Sequence, residues 1–122
     1  MRYRLVKKGQ APPEDDWYRR SQETVMKVFL DDERETPDGW QRVYWPEEAI
    51  QLLETGSVEE ISLDHDLGDD AHGTGYDVIL WIEEAVALRG FNPPKITIHS
   101  ANASAAEKMR AGVRAIERLA GR

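Results

Sequence analysis

The side chains best suited to chemistry fall in three short clusters, Asp31-Asp32, Asp64-His65-Asp66 and His99-Ser100, each placed directly after a short apolar run. Carboxylates drawn within a few ångströms of one another raise each other's pKa, and a divalent cation is the usual compensation. Oxygen donors in this number suit Mg²⁺ or Mn²⁺, which keep water ligands and coordinate phosphate oxygens. Asp31, Asp32 and Asp66 read as ligands, and Asp64 as ligand or nucleophile. Taken singly, an Asp-Asp pair has turn formation or helix capping as an equal alternative. His65 and His99 are two of only three histidines, and imidazole beside a carboxylate exchanges protons near neutral pH, which suits both for acid–base work. His72, the third, reads as an ordinary loop residue.

Two weaker signals accompany the clusters. Gly68, Gly73 and Gly75 flank the start of a helical segment, where exposed N–H groups and the helix dipole favour an anion such as phosphate, although the spacing is neither a Walker nor a Rossmann signature. Ser100 and Asn102 offer neutral donors to a phosphate oxygen, or else cap the last helix.

These residues need a scaffold that brings them together. The run 25–30 is short, apolar and β-branched, and 60–64 and 95–99 have the same character, with 40–45 a weaker strand candidate. Pro46 suits a first helical position, followed by Glu47 and Glu48 and an apolar stripe of Ala49, Ile50 and Leu53 that Gly56 ends. Further helices are predicted over 76–89, stopping at Gly90, and over 103–119, with Met109, Val113, Ile116 and Ala120 inward and Arg110, Arg114 and Arg118 outward. Alternation of strand and helix predicts a mostly parallel sheet of about four strands, with helices on both faces. Ligands of such sheets bind beyond the carboxyl ends of the strands, and all three clusters belong at that rim.

Composition sets the outer bounds. At 122 residues the chain is long enough for one core, with an arm at 1–24 ahead of an α/β domain over 25–122. The arm reads as irregular, with Tyr3, Leu5 and Trp17 available to pin it to the body. No cysteine is present, which excludes disulfides and thiolate metal sites. No leader-like or bilayer-length apolar run is found, so a cytoplasmic location without membrane contact is expected. The net charge is −7, yet between Asp31 and Glu84 seventeen acids face only two bases, Arg34 and Arg42. A polyanion is repelled from such a stretch unless cations intervene. The basic parts are the first two dozen residues and the last helix.

The words Val28-Phe29-Leu30-Asp31-Asp32-Glu33-Arg34, Ser62-Leu63-Asp64-His65-Asp66-Leu67-Gly68, Gly73-Thr74-Gly75-Tyr76-Asp77 and Ile98-His99-Ser100-Ala101-Asn102 together resemble the cyclic-phosphate-processing receiver-like family. That resemblance runs from Val25 to about Val113. It implies a receiver-like (flavodoxin-like) three-layer sandwich, in which Asp31-Asp32, Asp64 and Ser100 match the receiver's acidic pair, phosphoacceptor aspartate and hydroxyl residue. The receiver's lysine has no counterpart, because the chain passes from Asn102 straight into the last helix without a fifth strand. The resemblance further implies action on cyclic phosphates, such as those at RNA ends. Arg34 would then pair with a phosphate oxygen, unless it is taken up by a salt bridge to the surrounding acids.

Three functions compete on this reading. The first is a metal-dependent phosphoester hydrolase whose partner is a phosphate-containing small molecule or an RNA end. The second is a non-catalytic, degenerate receiver that binds a phosphorylated ligand or a protein partner. The third, an aspartyl-phosphate switch at Asp64, is disfavoured by the missing lysine.

Overall fold

The structure is a computed structural model and describes residues 25–122; the expectations for the arm at 1–24 lie outside the described residues. The elements run β1 (Met26–Leu30), β2 (Trp40–Val43), α1 (Pro46–Leu53), β3 (Val58–Leu63), α2 (Gly75–Arg89), β4 (Lys95–Ile98) and α3 (Ala103–Leu119). The strands form one sheet in the order β2-β1-β3-β4, with every neighbouring pair parallel. No fifth strand is present among the described residues. The fold is therefore α/β and receiver-like, as the sequence predicts.

Strand alternation sorts the side chains into two sets. Val28 and Leu30 lie in register with Ile61 and Leu63, and Leu30 with Val43. These side chains form a single buried cluster with Ala49 and Leu53 of α1, Val78, Ile79, Ile82 and Val86 of α2, and Met109 and Ile116 of α3. Each of the Val, Leu, Ile and Met side chains contributes about 1.5–3 kcal/mol by leaving water. The other set, Phe29, Ser62 and Thr97, is aligned across three strands and faces away from the helices.

Helices on both faces are expected from the alternating pattern, but among the described residues all three lie on one. Steps from β2 to β3 and from β3 to β4 run the same way across the sheet, so right-handed crossovers put α1 and α2 on the same side, where α3 packs beside α2. Only the step from β1 to β2 runs the other way, and residues 31–39 make it without a helix. The sequence gives the reason: Thr36-Pro37-Asp38-Gly39 is turn-forming, and too few residues remain for a helical crossover.

Local signals fix the ends of the helices. Thr74 caps α2 by accepting from the Tyr76 amide at 3.2 Å, while Asp77 accepts from the Thr74 amide at 3.0 Å. Gly90 ends α2 in the left-handed conformation, at φ 68°. Asn102 caps α3 by accepting from the Ala105 amide at 3.1 Å.

Candidate functional site

Asp31, Asp64 and His99 each occupy the first position past a strand, and the strand ladder carries on through their amides. Asp31 donates to the Val43 carbonyl at 3.2 Å, Asp64 to Leu30 at 3.1 Å and His99 to Leu63 at 3.0 Å. Parity then places all three on the face without helices. One donor atom from each lies within 4.8 Å of the others, so the convergence predicted from strand ends is present in the fold.

Asp31 is the anchor, being 1% exposed. One carboxylate oxygen accepts from the amides of Glu33 at 2.7 Å and Arg34 at 2.9 Å. The other lies 2.9 Å from His99 Nε2 and 3.7 Å from Arg34 Nε. Burial acts to raise the Asp31 pKa, but the Arg34 and Glu33 amides, aided by His99, outweigh it and hold the carboxyl below its ordinary value. Asp64 goes the other way. Burial first, then the Asp31 charge, push it up, and the His65 amide at 2.8 Å only partly compensates.

His99 is held on three sides. Its Nδ1 lies 2.7 Å from Ser62 Oγ and its Nε2 2.9 Å from Asp31, and the ring stacks on Phe29 with centroids 4.5 Å apart. His65 takes a different partner, with Nδ1 2.7 Å from Asp66 Oδ1. The two histidines are thus differently employed, one pinned behind the acids and the other paired with a half-exposed carboxylate.

In front of Asp31 and Asp64 opens a cleft of about 320 Å³, lined among others by Asp32, Arg34, Asp66 and Gly68. Asp32 and Asp66 therefore border the acid pair without joining the tight Asp31–Asp64–His99 group. Arg34 lines the cleft while its Nε pairs with Asp31. Ser100 accepts from the Asn102 amide at 3.1 Å, and the Asn102 side-chain oxygen is occupied by the cap and by Ser104 Oγ at 3.3 Å. Both sit at the turn into α3, where Asn102 does the capping that the sequence allowed as its alternative. Gly73 and Gly75 are packing positions in this structure. A Cβ on Gly75 would stand 2.0 Å from the Asp64 carbonyl oxygen, and one on Gly73 would stand 2.8 Å from Pro46.

Two residues of the site were not singled out by the sequence. Ser62 holds His99; its signal is parity, a lone hydroxyl between Ile61 and Leu63, two residues before Asp64 on the same face. Arg42 reaches across from β2 to the loop after β1, donating to Thr36 Oγ1 at 2.7 Å and to the carbonyls of Asp31 and Arg34. Its signal is compositional, since it is one of only two bases in the acidic stretch. His72, read as an ordinary loop residue, stacks on Trp45 at 3.8 Å and lies 2.9 Å from Glu47, tying the loop after β3 to the start of α1.

The donor set fits a divalent cation. Two carboxylates and an imidazole nitrogen converge, and Asp64 is raised by burial and then by the Asp31 charge, both of which a cation would offset. Asp31, Asp64 and His99 could hold it, with Asp32 and Asp66 at the rim.

A parallel sheet with an acidic pair after β1 and a further aspartate after β3 defines a receiver-like domain. The family model described as the cyclic-phosphate processing receiver domain matches residues 26–115, and the chain belongs to that family. Searches of curated proteins and of solved structures found no match. No helix among the described residues is long and apolar enough to cross a membrane.

Proposed function

We propose that the chain is a cation-dependent phosphoester-processing enzyme acting on cyclic phosphates, with a small cyclic nucleotide or an RNA end as substrate. Membership of the family supports the substrate class. The observation that carries the chemistry is the convergence of Asp31, Asp64 and His99 behind an open acidic cleft.

Mg²⁺ or Mn²⁺ held by these residues would supply positive charge against the phosphate oxygens. The remaining roles belong to the chain. Asp31 keeps its charge at neutral pH and fixes the loop 31–34 through two amides. Asp64, held above its ordinary pKa by burial and the Asp31 charge, is the carboxylate whose ionised form a cation would favour. His65 suits proton transfer, because a carboxylate on Nδ1 holds the proton there and leaves Nε2 with the lone pair that takes a proton from water. Arg34, more than half exposed at the cleft edge, pairs with an anionic oxygen of the substrate. Without a cation, His99 holds Asp31 through Nε2.

The test is a panel of 2′,3′-cyclic, 3′,5′-cyclic and linear nucleotides, assayed with added Mg²⁺ or Mn²⁺ and with chelator. Ring opening that the chelator abolishes is expected. Saturable binding without turnover would instead select a degenerate receiver that holds a phosphorylated ligand or protein.

A further inference from the structure

A neutral imidazole has one N–H and one lone pair, so its two contacts must differ in kind. At His99 Nε2 the contact is an Asp31 oxygen at 2.9 Å, and an ionised carboxylate only accepts. The ring proton therefore sits on Nε2. Nδ1 is the acceptor, and the partner at 2.7 Å, Ser62 Oγ, donates to it. Ser62 is itself buried, at 7% exposure, and His99 is 15% exposed, so water is a poor substitute for either partner.

Holding a cation through Nε2 requires the other tautomer, with the proton on Nδ1. The atom facing Nδ1 must then accept. A hydroxyl is the one small side-chain group that donates in the first state and accepts in the second by rotating about a single bond. A metal-bound histidine commonly depends on such a partner for its second nitrogen. Resting on the cation reading above, we infer that Ser62 is the positioning residue that lets His99 exchange a hydrogen bond to Asp31 for a bond to a cation without leaving a buried ring nitrogen unpaired. Alanine at this position removes the acceptor and works against the cation-holding tautomer. Threonine keeps it.

Ring-nitrogen NMR of ¹⁵N-labelled protein at about pH 8.5, two units above the ordinary imidazole value, reads the tautomer directly. The His99 signals are assigned by their loss in His99→Gln. Zn²⁺ serves as the diamagnetic probe, since imidazole and carboxylate donors both suit it. Expected are the Nε2–H form without metal and the Nδ1–H form with Zn²⁺. By calorimetry, Zn²⁺ affinity should fall about ten-fold or more in Ser62→Ala, and Ser62→Thr should restore it. An Nδ1–H form in the metal-free protein, or equal Zn²⁺ affinity in wild type and Ser62→Ala, overturns the role of Ser62 and leaves the cation reading standing. Failure of the wild type to take up Zn²⁺, with the Nε2–H form in place, overturns the cation reading and the Ser62 role together.

Discussion

Asp31 and Asp64 extend neighbouring strands to the same rim, yet the fold pulls the first carboxyl below its ordinary pKa of 3.8 and pushes the second above it. Burial raises both, and the Asp31 charge raises Asp64 further, but the amide donors differ. Asp31 receives two, from Glu33 and Arg34, whereas Asp64 receives only that of His65.

Opposite shifts give opposite pH dependences. The lowered Asp31 stabilises the fold above its unfolded value and loses that contribution as pH falls through its folded value. The raised Asp64 stabilises the fold while protonated, and that contribution is lost as pH rises from 3.8 through its folded value. Asp64→Asn is therefore expected to raise the melting temperature at pH 7, with the gain disappearing below about pH 4, near the ordinary aspartate value. The same variant should lose cation-dependent turnover by about 10²-fold or more. Thermal melts across pH, together with the nucleotide assay, check both.

Arg42 should matter more than its distance from the acids suggests. Its planar fork serves three acceptors on the loop that carries Asp31 and Arg34, and a lysine ammonium cannot reproduce that geometry. Arg42→Ala and Arg42→Lys should both weaken Mn²⁺ binding about ten-fold, as loss of a supporting contact commonly does. Calorimetric titration of the two variants against wild type measures it.

Gly75→Ala would force a methyl group into the Asp64 carbonyl. Relief requires α2 to move away from the end of β3, at about 1–3 kcal/mol, or several degrees of melting temperature for a domain of this size. Urea unfolding gives the energy, and loss of the cation titration shows whether the displacement reaches Asp64.

His65 and Asp66 should act as a pair. His65→Gln is expected to cut turnover by about 10²-fold, within the range for loss of acid–base catalysis, without weakening Mn²⁺ binding. Asp66→Asn should cut turnover as well, because a neutral amide is a weaker acceptor for the proton that the carboxylate holds on Nδ1. Turnover and Mn²⁺ titration of wild type and the two variants distinguish this assignment from one that rests on His99.

Much of the scaffold was legible because it is local. Apolar runs ended by Asp31, Asp64 and His99 marked the strand ends, and the helix predicted over 76–89, stopping at Gly90, starts one residue from the observed Gly75. The acid cluster was legible through a topological rule: parallel strands deliver their carboxyl ends to one rim. What the sequence left open depends on which strands adjoin and which way side chains face. Ser62 and His99 are 37 positions apart, and nothing local links them. The partners of His65 and His99 were likewise open until Asp66 and Asp31 were seen on their ring nitrogens. The face without helices was hidden because counting strands and helices does not say which connection lacks one.

His99 also has a kinetic consequence. Its ring rises from the end of β4, passes Ser62 on β3 and meets Phe29 and Asp31 on β1, so it braces three strands whose pairing is entirely non-local. A slip of one residue in either register would turn these side chains to the opposite face. Such long-range parallel pairings are slow to assemble. In refolding from urea, the Phe29–His99 stack should therefore appear after the helical signal has recovered, and a ligand-competent protein should emerge last.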